Sequence, residues 1–308
     1  MSIAAPVKKT THQAAKPSKK KRTVQDDIPS AMKPPTWVKL LVFIALIAAF
    51  LYFIFPLYWL LASAGKSNQQ LLTENPLLPG FDDLKGNYNT LIAWTGGMYW
   101  RWVLNSLIYS VVSGALGTLI SVAAGYSLAK FTFKGRGAVQ GVIMGGLLMP
   151  MALLTIPLYL MFSQMHLTNT MWSIIIPSCV SPFGVFLGMV YSRTSVPDEM
   201  IEAARIDGAG ELRIFFTLVL RLLAPAMVTV FLFIFVATWN NFLLPLLMVS
   251  SPEIKPITLG LYGMMSYFNP TYGAVLQGAI FGVVPLVILF LGLQRYWQAG
   301  LAAGSVKG

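Results

Sequence analysis

Six long apolar runs divide this chain, and one polar island interrupts them. The runs extend near Trp37 to Leu61, Ser106 to Ala129, Ala138 to Phe162, Met171 to Tyr191, Leu222 to Val249 and Gly273 to Gln294. Each matches the length of about 20 residues that an α-helix needs to cross a bilayer. The pattern predicts an all-α integral membrane protein with six transmembrane helices. Between the fourth and fifth runs lies Glu202-Ala203-Ala204-Arg205-Ile206-Asp207-Gly208-Ala209, followed sixteen residues later by Pro225. Ser195 reads as the cap of a short helix with Asp198 three residues on, and Pro197 and Glu199 suit its first turn. Ala203 and Ala204 favour helix and give it a low-profile face. Asp207-Gly208 then offers a turn, with Gly208 free to take the left-handed conformation that ends a helix. A second short helix is expected from Glu211 through Phe215 and Phe216.

Small residues recur within the runs. Ser113, Gly117, Ser121 and Gly125 form one stripe, and Gly141 with Gly145, Gly184 with Gly188, and Gly278 with Gly282 are small-xxx-small pairs. Such pairs let helix backbones approach closely, either within one subunit or at a seam with another. Pro150, Pro157, Pro177, Pro182, Pro245 and Pro285 interrupt the runs and free backbone groups that neighbours must satisfy.

Composition agrees with the pattern. Only 11% of the residues are charged and the mean hydropathy is +0.67, where a soluble domain carries about 25% charged residues. Of the net charge of +11, residues 1–36 supply eight basic and two acidic side chains. Their Lys, Ala, Thr and Pro content predicts a disordered tail that meets anionic lipid, with nothing in it that reads nucleic acid. Lysines and arginines cluster in this tail, at Lys130…Arg136, in the island and at Arg295…Lys307, which puts all four on the cytoplasmic side. Ala62-Ser63-Ala64 resembles a cleavage site, but the preceding apolar run exceeds the 7–15 residues of a signal core, so the first span is expected to be retained.

The polar side chains exclude several chemistries. Cys179 is the single cysteine and His12 and His166 the only histidines, too few for a metal cluster. The chain shows no catalytic constellation and is not expected to be an enzyme. No Asp, Glu, Lys or Arg lies in the middle of the second to sixth runs, where ion-driven transporters keep them. Gly65-Lys66-Ser67 mimics a phosphate loop, but Leu60 stands where its first glycine belongs. Energy for any transport must therefore come from another subunit.

The island resembles the cytoplasmic coupling loop of binding-protein-dependent ABC import permeases. Glu202, Ala203, Ala204, Asp207, Gly208, Ala209, Phe215 and Pro225 match that pattern. Leu220-Arg221 departs from the family's usual Leu-Pro; the added cation either strengthens docking on an acidic partner or sits at the membrane edge. Further likeness lies in Asn105-Ser106, in Ala124-Gly125-Tyr126-Ser127-Leu128-Ala129-Lys130-Phe131 with Phe133-Lys134-Gly135-Arg136, and in Trp239-Asn240-Asn241-Phe242-Leu243. The end, Gln294-Arg295-Tyr296-Trp297…Gly300-Leu301…Gly304-Ser305-Val306-Lys307-Gly308, is similar to the maltose-permease type of carbohydrate uptake system.

That resemblance implies one transmembrane domain over residues 37–308, with the second to sixth spans at about 101–298, a glycine-rich tail at 299–308, and a coupling helix between spans four and five. Glu202, Ala203, Ala204, Asp207, Gly208 and Ala209 would dock on an ATPase dimer that binds the ATP and Mg; the chain itself would bind no cofactor. Gln294, Arg295, Gly300, Gly304 and Lys307 would contact the ATPases as a tail. Trp239, Asn240 and Asn241 would either line the path of a carbohydrate or pack across helices. The other implied partners are a second permease in a heterodimer, an extracytoplasmic binding protein that meets the loop from Ser250 to Thr271, and membrane lipid. The location implied is the cytoplasmic (inner) membrane of a bacterium or archaeon, with both termini inside. Asn241 and Leu244 depart from residues common in the family, which leaves the solute open. The alternatives are an importer of a non-sugar solute, an ion-coupled transporter, or a membrane scaffold.

Overall fold

A computed structural model describes residues 35–265 and 271–305, with side chains as far as Gln294. Most of the basic tail and Lys307 lie outside the described residues. The chain divides into two units at Pro56. The first is the greater part of α1 (Thr36–Ser63), a helix that is apolar all round, with Phe43, Phe50, Tyr52 and Phe53 exposed along it.

The second unit continues through α2 (Asn68–Thr73), α3 (Leu84–Trp94), α4 (Tyr99–Lys130), α5 (Arg136–Leu148), α6 (Met151–Gln164), α7 (Trp172–Ser178) and α8 (Pro182–Ser195). There follow α9 (Asp198–Ile206), α10 (Glu211–Ile214), a π-turn (Phe215–Val219), α11 (Leu220–Leu222) and α12 (Ala224–Trp239). The described chain ends with α13 (Leu243–Met248), a 3-10 turn (Pro252–Ile254), α14 (Ile257–Gly263) and α15 (Tyr272–Ser305). Four helical stretches are long and apolar enough to cross a membrane: Thr36–Ser63, Tyr99–Lys130, Trp172–Ser195 and Tyr272–Gln294. The number becomes six if each of two bent pairs counts as one span.

Proline causes both bends. The third apolar run breaks by 108° between α5 and α6, where Met149 and Pro150 are both extended. A residue before proline is driven out of the helical region, and here it ends α5. At the second break, of 82°, Pro225 stands in the first turn of α12. Proline lacks the N–H that would continue the ladder, and its ring clashes with the carbonyl four residues back, here that of Arg221. The fifth apolar run is interrupted once more, because α12 stops at Trp239 and α13 restarts at Leu243.

α4 is the central element and packs on α7, α8, α12 and α14. Its small-residue stripe does this within the chain. A Cβ at Gly125 would overlap the backbone of Gly188 and Met189, one at Gly184 would approach Ser121 Oγ to 2.7 Å, and one at Gly117 would approach the Cys179 carbonyl to 3.0 Å. The α4–α8 crossing is thus backbone against backbone. Gly278 and Gly282 likewise receive Leu261 and Ile257, whereas Gly141 and Gly145 meet nothing within 4 Å.

The N-terminal end of α4 holds an irregular segment by its backbone. Arg101 Nε donates to the Glu253 carbonyl, Trp102 Nε1 to Pro252 O, Asn105 Nδ2 to Glu253 O and Lys255 O, and Tyr109 OH to Ile254 O. Ser106 Oγ accepts from the Ile257 N–H. A partly exposed chain without regular partners thereby finds donors for its carbonyls. Lys66 is buried, with its Nζ donating to Asn75 O at 2.8 Å, and Ser67 caps α2 in a capping box. These residues are a structural knot, unrelated to phosphate binding.

Asn169 ties a second pair of loops. Its Oδ1 accepts from the N–H groups of Ser250 and Ser251, its Nδ2 donates to Ser251 Oγ at 2.7 Å, and its φ is 56°. Asn169→Ala removes all of these bonds and a residue that tolerates left-handed backbone. Stability should fall by about 2 kcal/mol, read as a lower melting temperature in detergent. An unchanged melting temperature would show that the clasp is not formed.

Candidate functional site

α9 stands apart from the apolar runs as a short amphipathic helix between α8 and α10. Ile201 is buried at 3% exposure, among Tyr126, Tyr191, Val196, Ile214, Phe215 and Val219. Glu202, Ala203, Arg205, Ile206 and Asp207 are exposed, and Ala204 and Ala209 rest against the same cluster. One face anchors the helix and the other stays open.

The start of α9 differs from the sequence expectation. Ser195 is the last residue of α8, and the helix is entered through Pro197, which makes no side-chain cap. Asp198 therefore stands at the first helical position, and the first turn is compensated by charge: Asp198 and Glu199 oppose the N-terminal end of the helix dipole. Lys130, at the end of α4, reaches Asp198 Oδ1 at 2.7 Å. The lysine side chain is 9% exposed and the carboxylate 72%, so solvent screens the pair and it contributes about 0.5–1 kcal/mol. Its main consequence is positional, since it fixes the start of α9 to the end of the central helix.

The other end follows the expected turn. Gly208 has φ +78°, its N–H donates to Arg205 O, and the Ala209 N–H donates to Ala204 O at 3.0 Å. This is a Schellman closure, and both Ala204 and Ala209 rest against the buried cluster beneath it. Arg205 Nε donates to Glu211 Oε1 at 2.7 Å, which joins α9 to α10. That hydrogen bond raises the Arg205 pKa above its ordinary value and keeps the guanidinium charged. The guanidinium carbon also lies 6.0 Å from the Phe131 ring centre.

Beside α9 lies an open depression of about 420 Å³, lined by Met200, Ala203, Ala204, Asp207 and Ala209 on one side. Ile214, Thr217, Leu218 and Arg221 line the other. The small side chains at 203, 204 and 209 give it depth. The π-turn faces Phe215 and Val219 into the core and leaves Thr217 exposed and Leu218 half-buried.

The three residues expected near a solute path fall in different surroundings. Trp239 is 3% exposed and stacks on Phe235 at 5.8 Å between ring centres, within a cluster that includes Tyr99 and Trp102. It is a packing residue in this chain. Asn240 is exposed, and its Nδ2 donates to Val236 O. Asn241 is half-buried; its Oδ1 accepts from the Leu244 N–H and its carbonyl accepts from Thr258 Oγ1. At the other end of the chain α15 continues as helix through Gly300 and Gly304 to Ser305, beyond the half-buried Gln294. The side chain of Arg295 lies outside those described.

Sequence reasoning missed Lys130 as a partner of Asp198, because sixty-eight residues separate them. It also missed Ile201 and Tyr126 beneath the helix. Ile201 was detectable as the apolar residue three before Ala204; Tyr126 carried no comparable signal.

Residues 117–302 match the family described as binding-protein-dependent transport system inner membrane component. The chain is 34% identical over 267 residues to the arabinooligosaccharides transport system permease protein AraQ of Halalkalibacterium halodurans, covering 86% of this chain and 94% of that one. It is 32% identical over 267 residues to the lactose transport system permease protein LacG of Rhizobium radiobacter, covering 85% and 93%. In fold it is similar to a chain in the crystal structure of a bacterial ABC transporter involved in the import of the acidic polysaccharide alginate. The TM-score is 0.73 at 21% identity, over 84% of this chain and 96% of that one. A membrane-spanning helical bundle, an exposed helix carrying Glu202 to Ala209, and this breadth of likeness together make the chain a member of the binding-protein-dependent transport inner membrane component family.

Proposed function

We propose that this chain is the permease subunit of an ATP-driven importer for a sugar or oligosaccharide, working by alternating access. The observation that carries the reading is α9: a short helix outside the apolar runs, tied at both ends by 2.7 Å ion pairs, with the face that carries Glu202, Ala203 and Asp207 open. Such a helix can be pushed as a unit without melting. The family supplies the coarse setting, an import system with a binding protein, an ATPase and a second permease. The relatives' names supply the solute class.

In this scheme two ATPase subunits close on ATP and Mg and displace α9 together with its counterpart in a second permease. The displacement reaches α4 through Lys130 and through the cluster around Ile201. An extracytoplasmic binding protein delivers sugar to the loop that follows α13, whose start α4 holds by its backbone. Asn240 and Asn241 offer amide groups that suit sugar hydroxyls. The termini and α9 face the cytoplasm, and the end of α15 reaches toward the ATPases. The bundle lies in the cytoplasmic membrane.

Affinity purification of the full chain in mild detergent, with every co-purifying protein identified, tests this. A second permease and an ATPase are expected. A chain that emerges alone from cells expressing its neighbours would overturn the importer reading.

A further inference from the structure

The helix that runs from α10 to α11, Glu211–Leu222, changes register in its middle. At its start the Phe215 N–H donates to Glu211 O, four residues back. Just beyond its end the Leu223 N–H donates to Val219 O at 2.9 Å, again four back. Between them the Leu220 N–H donates to Phe215 O, five back, so the π-turn holds one residue more than an α-helix would. Such turns are rare and concentrate at functional sites. Thr217 Oγ1 donates to Arg213 O at 2.6 Å, a back-bond of the kind that bends helices.

The turn lies between the two parts that an importer must couple. Phe215 and Val219 belong to the cluster that buries Ile201 of α9, and the 82° break to α12 follows directly. Tyr126, whose ring lies 5.7 Å from that of Phe215, is 3% exposed. Its hydroxyl has no hydrogen-bond partner among the described residues. A buried hydroxyl left without a partner costs free energy, so this arrangement of the cluster is not the one that suits Tyr126 best.

We propose that the π-turn Phe215–Val219 is the joint through which displacement of α9 moves α12. In the other state of the cycle the Leu220 N–H passes from the Phe215 carbonyl to that of Phe216. The extra residue then joins the α-helix, and the Tyr126 hydroxyl gains a partner. One added residue of α-helix supplies about 1.5 Å of rise, delivered to the break before Pro225. The inference rests on the importer reading and deepens it: α9 moves as a unit, and the change of shape is confined to the turn beneath it.

The test compares the purified complex without nucleotide and trapped with ATP and vanadate, by hydrogen exchange read with mass spectrometry. Exchange over residues 215–222 should slow about ten-fold on trapping. Tyr126→Phe removes a hydroxyl that has no partner here, so the melting temperature of the nucleotide-free complex should stay the same or rise. Uptake should nevertheless fall about five-fold, because the state that partners the hydroxyl is no longer favoured. A tyrosine with a purely structural role would lower the melting temperature when truncated. Equal exchange in the two states, wild-type uptake in Tyr126→Phe, or a fall in both its melting temperature and its uptake would overturn the proposal. A wild-type chain that captures no ATPase would overturn the importer reading, and this inference with it.

Discussion

Gly125→Ala should destabilise the chain by about 3 kcal/mol, and Gly125→Leu should prevent it from accumulating as a folded protein. The reason is local and steric. A Cβ at this position would enter the backbone of Gly188 and Met189 on α8. A flexible side chain can turn aside; a helix backbone can only retreat. Retreat opens the crossing of α4 with α8 along the whole stripe from Gly117 to Gly125, and forfeits close contacts at Gly184 and Gly188 as well. Dispersion and shape supply most of the attraction between helices in lipid, so these losses are not offset by burial elsewhere. Gly141→Ala is the control, since its Cβ would meet nothing within 4 Å. There the helix gains about 0.5–1 kcal/mol from the lower backbone entropy of alanine. Melting temperatures of the two variants in detergent should move in opposite directions. Equal melting temperatures would mean that α4 and α8 do not cross at Gly125.

The second large effect concerns coupling. Glu202 is exposed, and no hydrogen bond or ion pair holds its side chain among the described residues, so Glu202→Lys should leave expression and melting temperature unchanged. Solute-stimulated ATP hydrolysis and uptake in the reconstituted complex should nevertheless fall about ten-fold or more, because a like-for-opposite charge exchange at an interface is repulsive as well as uncomplementary. Gly208→Leu acts by another route. Leucine at φ +78° costs about 1–2 kcal/mol and opens the Schellman closure, so the end of α9 frays. Gly208→Asn should restore much of the coupling, since asparagine tolerates that backbone conformation. Wild-type uptake in Glu202→Lys would remove α9 from the mechanism.

Much of this site was legible before any coordinates. The turn at Asp207-Gly208 and the start of the second helix at Glu211 follow from local chemistry and are found there, although the α-helix ends at Ile214 and Phe215 and Phe216 continue it as a π-turn. Ser195 was misplaced because the capping-box spacing competes with Pro197. Proline fixes the extended backbone from which α9 starts, so the helix begins one residue after it and Ser195 stays in α8. The apolar runs gave the helices, and their prolines marked interruptions without showing how sharp each one is. Hydropathy is nearly continuous from Ala138 to Phe162, and only the backbone records the turn of 108° at Pro150.

What the sequence determined by itself is therefore what neighbours in the chain decide: an all-helical membrane protein, a polar helix with its turn, and a family signature spread from the second apolar run to the terminus. The tertiary structure decided which distant groups meet. It set α4 against α8 by glycine rather than across a subunit seam, gave Lys130 to Asp198, and buried Trp239 on Phe235. Local propensity acts over a few residues and repeats along the chain, so it can be read in order. Contacts such as these depend on how bent helices cross, and no short window of sequence contains both partners.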